Sequence, residues 1–307
     1  DTITGGAGGD LFHYLATADS TGTAKDSITD FTSGTDFISV VINNSTNTTG
    51  QTYDATIQTA AAGTAAVQAG MSGSIGQTFF DTTNNVLVVN ANADNLVTTL
   101  DYQIGLNAAA TAANTVVEGD IRYVITGGSG ADTITTGDGI DTIVAGAGAD
   151  IIVTGDGGDE VTAGTGADTV TLGGGLDDYN LGSADSVALT AETVTEASLG
   201  ATETITFGNG VDVINSFTAG ASKDSIDGAN AGLATTAVGV DFRADVSGTT
   251  YFLDGDYNAS TKVFTGSTTG ADVLIWEGTA GADLTDVTTF VVLESVAQTD
   301  LHADNFI

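Results

Sequence analysis

Gly127-Gly128-Ser129-Gly130-Ala131-Asp132-Thr133-Ile134-Thr135 opens a nine-residue unit that repeats six times in unbroken phase, ending at Asn180. Its aspartates fall at Asp132, Asp141, Asp150, Asp159, Asp168 and Asp177. Two glycines stand four and two residues ahead of each: Gly128 and Gly130, Gly137 and Gly139, Gly146 and Gly148, Gly155 and Gly157, Gly164 and Gly166, Gly173 and Gly175. Two residues after each aspartate comes Ile134, Ile143, Ile152, Val161, Val170 or Tyr179. Glycine-rich low complexity does not hold three positions in register through six units, so the phase is structural.

The unit has a direct physical reading. Glycines accept the positive φ of a tight turn, an aspartate closing that turn can aim a hard oxygen at a cation, and the next three residues form a short strand with its middle, apolar side chain inward. Two units make one coil of 18 residues, so Asp132, Asp150 and Asp168 form one column and Asp141, Asp159 and Asp177 another. The expected fold is all-β: a right-handed parallel β-roll of nonapeptide repeats with β capping segments. Pairs 18 apart (132/150, 150/168, 141/159, 159/177) give at least four cation sites, and a shell of oxygens without thiol or imidazole points to Ca²⁺. The first glycine of the unit is kept at Gly127 and becomes Thr136, Ala145, Thr154, Ala163 and Leu172 later, where a backbone carbonyl would persist. Asp138 and Asp156, at the variable third position, are expected to face water.

Composition agrees. Five Lys and Arg stand against 40 Asp and Glu, a formal charge of −35 that repels nucleic acid and anionic membranes and leaves cations as partners. Hydrophobic residues reach 41% with no run long enough to span a bilayer, so no membrane insertion is expected. Cysteine and proline are absent, which removes disulfides and thiolate chemistry together.

A shorter array opens the chain. Asp1 and Asp10 are nine apart, with Gly6 and Gly8 ahead of Asp10, so the natural protein is expected to extend upstream. Each array runs into the same motif, D-x-I-x-x-F-T-x-G, at Asp26–Gly34 and at Asp212–Gly220. A roll end exposes strand edges and core, so these segments are expected to cap it, with Asp26, Asp30, Asp36, Asp212 and Asp224 as further calcium ligands. The expected organisation is 1–43, end of a first roll and its cap; 44–125, an intervening β segment; 126–186, the central roll; 187–230, its cap; and 231–307, a C-terminal β segment.

Between the arrays, the pattern predicts one helix near Ala60–Met71 and strands at Thr78–Asp81 and Val86–Val89; Asn90, Asn92, Asp94 and Asn95 read as a turn. The tail has strands at Thr250–Leu253 and Val273–Trp276, which suggests a second copy of one plan. His13 and His302 lack a partner four residues on, His13 is expected on the roll surface, and no G-x-S-x-G, P-loop or H-E-x-x-H occurs, so no catalytic site is expected.

The nonapeptides, the D-x-I-x-x-F segments and the end Asp304-Asn305-Phe306-Ile307 resemble the repeats-in-toxin superfamily exported by bacterial type I secretion. The resemblance implies secretion to the extracellular space or cell surface, a signal near the C-terminus read by the type I machinery, and folding outside the cell. Physics gives the same logic: stacked aspartates repel without cation, and sites filling on the order of 10⁻⁴–10⁻³ M calcium stay empty in the cytosol. Three function classes follow: a self-associating surface-layer subunit, the terminal module of an adhesin or biofilm-matrix protein, and the secretion and folding tail of an exported enzyme or toxin. Enzyme tails of the resembling family end soon after one array and cap, whereas two arrays and two caps here favour the scaffold.

Overall fold

A computed structural model describes residues 1–58, 64–94, 96–98, 100–106, 116–181, 189–192, 204–207, 211–219, 223–227, 242–244, 250–267, 269–277, 290–297, 300–301 and 305. The chain is a parallel β-roll elaborated by antiparallel strands. By contacts it divides into two units, Asp1–Ile143 with Thr154–Gly157, and Val144–Val153 with Gly158–Ile307, a division that passes inside 126–186.

Rungs form where the repeat sets one apolar residue between two polar ones, because only the middle side chain of a three-residue strand turns inward. In the second unit the strands Ile151–Val153, Thr169–Thr171 and Asp212–Asn215 pair in parallel, with Ile152 opposite Val170 and Val170 opposite Ile214. All three are fully buried, while Ile151 and Thr169 face outward. A second parallel series runs through Glu160–Gly166, Asp178–Asn180 and Ser225–Asp227, stacking Val161, Tyr179 and Ile226. In the first unit Leu11–Tyr14, Phe37–Asn43 and Ile121–Thr126 form the matching series, Thr2–Ile3 pairs with Ser27–Ile28, and Thr52–Ala55 pairs with Thr133–Thr136.

The D-x-I-x-x-F-T segments expected as caps add rungs. Ser27–Ile28 and Phe37–Asn43 continue the first array, and Asp212–Asn215 and Ser225–Asp227 continue the second, all in parallel. The motif's phenylalanine, Phe31 or Phe217, is buried at the turn. Asp212–Asn215 has two buried faces: Ile214 enters the roll, and Val213 joins an outer core with Leu274, Trp276, Phe290 and Val292. Phe290 stacks edge-on against Phe207 at 5.4 Å between ring centres.

Each unit then repeats one pairing plan. In the first, Ser27–Ile28 is followed by Tyr102–Leu106 in parallel, then Val86–Val89 and Thr78–Asp81 antiparallel. In the second, Asp212–Asn215 is followed by Phe290–Leu293 in parallel, then Asp272–Glu277 and Thr250–Asn258 antiparallel. The helix expected near 60–71 is described over Thr64–Gly70; 59–63 lie outside the described residues. Val67 of that helix and Met71 pack on Phe79, Val86 and Val88 of the hairpin.

Ile152→Ala should cost about 2–5 kcal/mol because the rung above cannot collapse into the void. Thr169→Ala, outward on the neighbouring rung, should stay within about ±0.5 kcal/mol. Denaturant unfolding in saturating calcium measures both.

Candidate metal centre

Each turn delivers its aspartate by the same hydrogen bond. In the second unit the backbone N–H of Asp150 donates to Oδ1 of Asp168 at 2.7 Å, and that of Asp159 to Oδ1 of Asp177 at 2.9 Å. The ladder continues with Asp168 N–H to Asp212 Oδ1 (3.0 Å) and Asp177 N–H to Asp224 Oδ1 (3.2 Å). In the first unit Asp10 N–H donates to Asp36 Oδ1 (3.0 Å), Tyr123 N–H to Asp141 Oδ1 (2.7 Å) and Gln51 N–H to Asp132 Oδ1 (2.6 Å). A carboxylate so held cannot rotate away, which fixes where its other oxygen points.

Asp132, Asp141, Asp150, Asp159, Asp168 and Asp177 are each at most 1% exposed, and Oδ2 is buried as well in the last five. Asp10 is half-buried. Buried carboxylates need positive charge, and 5 Lys and Arg in the whole chain cannot serve 40 acids. Among the described residues no three acidic, His or Cys side chains converge, so a cation here would take one or two carboxylates and complete its shell with backbone carbonyls.

The glycine turns are where such carbonyls lie. A Cβ on Gly164 would strike the carbonyl oxygen of Gly146, and one on Gly166 that of Gly148, one coil away; both glycines also have positive φ, 97° and 155°. Gly6, Gly8, Gly139, Gly146, Gly148, Gly155 and Gly175 share positive φ, whereas Gly128, Gly130, Gly137, Gly157 and Gly173 do not. Gly128 and Gly130 are required instead by backbone contact, with Asn47 and with Thr49 and Gly50. Gly137 lies against the Glu118 carboxylate. The oxygen-rich, buried, glycine-cradled turn fits a calcium ion.

The aspartates after the arrays differ. Asp36 accepts Thr32 N–H on Oδ2 (2.8 Å), Asp224 accepts Thr218 N–H on Oδ2 (2.6 Å), and Asp212 accepts the Tyr179 hydroxyl (3.0 Å). The threonine of D-x-I-x-x-F-T therefore clasps the next rung's carboxylate, and both oxygens serve protein donors. Asp30 binds the N–H groups of Gly5 and Gly6, and Asp26 binds the amino nitrogen of Asp1. These five, expected as further ligands, are held by protein donors in the segments that follow each array. Asn305 donates its amide to the Asp224 carbonyl at 2.6 Å. His302, Asp304, Phe306, Ile307, Gly220 and Asn95 lie outside the described residues.

Residues 44–51 were not legible as part of this site. They wrap the Gly128–Asp132 turn, with Ser129 N–H donating to the Asn47 carbonyl (2.8 Å). Thr52 pairs with Thr133, which sets Gln51 level with Asp132. The only signal is the Asn/Ser/Thr/Gly cluster before the alternation Thr52-Tyr53-Asp54-Ala55.

Burial is the leading cause that raises the carboxyl pKa of Asp224, Asp101, Glu118 and Glu294; neighbouring acids add to it at the last three. Asp30, fully exposed, is lowered by the Gly6 and Gly5 amides.

Asp168→Ala removes the acceptor of the Asp150 amide and should cost about 1.5–3 kcal/mol. Asp168→Asn keeps an acceptor and removes only charge, so it should still raise the calcium midpoint of folding severalfold in circular dichroism titrations; an unchanged midpoint would confine Asp168 to the hydrogen-bond ladder. For the raised groups the folded state binds more protons than the unfolded state between the two pKa values, so stability falls as pH rises. Calcium-free protein should therefore gain β-structure as pH is lowered from 7 towards about 5, seen by circular dichroism after exhaustive dialysis.

Family comparisons agree with this geometry. The RTX calcium-binding nonapeptide repeat matches residues 126–161 and 153–187, and the peptidase M10 serralysin C-terminal family matches residues 1–105. No curated protein matches the chain. A solution structure of the AlgE6R3 subunit of the Azotobacter vinelandii mannuronan C5-epimerase is similar at 22% identity, covering 62% of this chain and 79% of that one, with a TM-score of 0.20. Among the described residues no helix is long and apolar enough to cross a membrane. The family matches support a calcium-binding, exported protein, and with the stacked rungs they identify the chain as an RTX calcium β-roll protein.

Proposed function

We propose that the chain is a calcium-folded structural protein of the bacterial cell surface, a subunit of a self-assembling surface layer. Calcium is held by Asp132, Asp141, Asp150, Asp159, Asp168 and Asp177 with carbonyls of the glycine turns, and by the turn of Gly6, Gly8 and Asp10. The observation that carries the reading is the repeated plan. Both units add the same parallel-then-antiparallel layer to a roll rung, at Ser27–Ile28 and at Asp212–Asn215. A repeated, rigid architecture suits a scaffold whose copies meet in fixed geometry. Export in an unfolded state follows from the same chemistry, because the ion that neutralises the rungs is plentiful outside the cell and scarce inside.

A second reading rests on the serralysin C-terminal match over residues 1–105: the secretion and folding tail of an exported enzyme. In that case the chain folds with calcium and stays monomeric. The terminal module of an adhesin would behave likewise.

Light scattering after size exclusion, with negative-stain imaging, separates these readings on chelated protein before and after millimolar calcium. Sheets or large ordered particles should appear only with calcium. Chelation should dissolve the assembly first and unfold the subunit afterwards. A folded protein that stays monomeric at all concentrations, or an assembly that survives complete calcium removal, would sink the surface-layer reading.

A further inference from the structure

Glu118-Gly119-Asp120-Ile121-Arg122-Tyr123 stands 18 residues, one coil of the roll, ahead of Thr136-Gly137-Asp138-Gly139-Ile140-Asp141. It keeps the first glycine and the first aspartate of that turn, as Gly119 and Asp120, while Ile121 and Tyr123 replace Gly139 and Asp141. The structure stacks the two turns in this register: the Tyr123 N–H donates to Oδ1 of Asp141 at 2.7 Å, the ladder contact that Asp150 makes with Asp168. The Asp141 carboxylate therefore reaches towards the 118–123 turn.

The oxygens that face the upper glycines of stacked turns follow a rule. A Cβ on Gly164 would meet the carbonyl oxygen of Gly146, one on Gly155 that of Gly137, and one on Gly166 that of Gly148. Gly139 obeys it and meets the carbonyl of Ile121. Gly137 departs from it: the oxygen it meets is Oε1 of Glu118, a carboxylate where the other turns set a backbone carbonyl.

Glu118 is held in that place. It opens a short 3-10 turn, Glu118–Asp120, fixed by the Asp120 carboxylate, which accepts the N–H of Val117 at 2.9 Å and of Gly34 at 2.6 Å. The backbone amide of Ile57 donates to Glu118 itself, and Asp54 and Asp138 stand near enough to add their negative charge. Among the described residues no basic side chain pairs with it. A half-buried carboxylate in a negative surround, beside a second carboxylate and a backbone carbonyl, is the donor set of a hard divalent cation.

We propose that Glu118 is a calcium ligand, completing with the Asp141 carboxylate and the Ile121 carbonyl a site in the gap between the 118–123 turn and the Gly137–Asp141 turn. The repeat does not mark this site, because its lower turn carries an isoleucine and a tyrosine where the array has a glycine and an aspartate. The inference rests on the calcium reading of the array turns and adds a ligand from outside them. An ion held there ties the segment ahead of the array to the turn of Asp141.

Calcium titration by calorimetry, with bound ions counted by native mass spectrometry, tests it on the wild type, Glu118→Gln and Glu118→Ala, each checked for folding by circular dichroism. Glu118→Gln keeps an acceptor for the Ile57 amide and loses only charge, so a purely structural role would leave calcium binding unchanged. For a ligand, Glu118→Gln should weaken one binding step about tenfold or more and leave the other steps in place, and Glu118→Ala should hold one ion fewer. Folded variants that bind as many ions as tightly as the wild type overturn the inference and leave the array sites standing. A wild type that binds no calcium overturns both. Anomalous diffraction from calcium-loaded wild-type crystals gives the answer without a variant: a calcium peak about 2.3–2.6 Å from the Glu118 carboxylate is expected, and peaks confined to the repeat turns overturn the site.

Discussion

The hydrogen bond from one rung's backbone amide to the next rung's aspartate is the contact on which the rest of the structure depends. It satisfies an N–H that a turn would otherwise leave inside the roll, and it pins a carboxylate where solvent cannot reach it. That arrangement is unfavourable by itself: a column of buried negative charge repels along its length, and the thin roll has little apolar area to offset it. A divalent cation between turns would reverse the sign of the interaction. Composition follows from that constraint, since a chain with 40 acids and 5 Lys and Arg has delegated its positive charge to the solvent.

The same contact explains how arrays end. In D-x-I-x-x-F-T the isoleucine forms a rung, the phenylalanine fills the turn, and the threonine amide occupies the second oxygen of the following aspartate. Protein donors hold both oxygens of Asp36 and of Asp224 there. Beyond that stop the chain is free to use a different economy of burial, and it builds antiparallel strands around aromatic and branched side chains such as Trp276, Phe290 and Val292. Val213 and Ile214 join the two regimes, one side chain in each core.

The central array was legible because its period of nine keeps turn, ligand and inward residue in fixed phase, and the register of Ile152 on Val170 is the register of the repeat. The hairpin Thr78–Asp81 and Val86–Val89 was legible from its apolar runs. The stacking of Gln51 level with Asp132 was not, because neither glycine phase nor aspartate marks that turn; it is specified by backbone fit alone, through Asn47, Thr49 and Gly50 against Gly128 and Gly130. The clasp of the Thr32 and Thr218 amides on Asp36 and Asp224 was also hidden. Sequence shows an acid, and only the fold shows which backbone amide it receives. The shared pairing plan of the two units was visible only as a likeness of strands, since the pairing partners lie far apart along the chain.

The spacing of the ladder contacts carries a kinetic consequence. Asp150 to Asp168 and Asp159 to Asp177 close over 18 residues, Asp168 to Asp212 and Asp177 to Asp224 over 44 and 47, and Gln51 to Asp132 over 81. Short closures form fastest, so the central array is the natural nucleus, and the wider rungs add to a template that already presents ordered amides. Since that nucleus is also the densest run of mutually repelling carboxylates, the ion that neutralises it sets the rate at which folding begins as well as its final stability. A chain meeting calcium would thus find its folding trigger in the segment best placed to start.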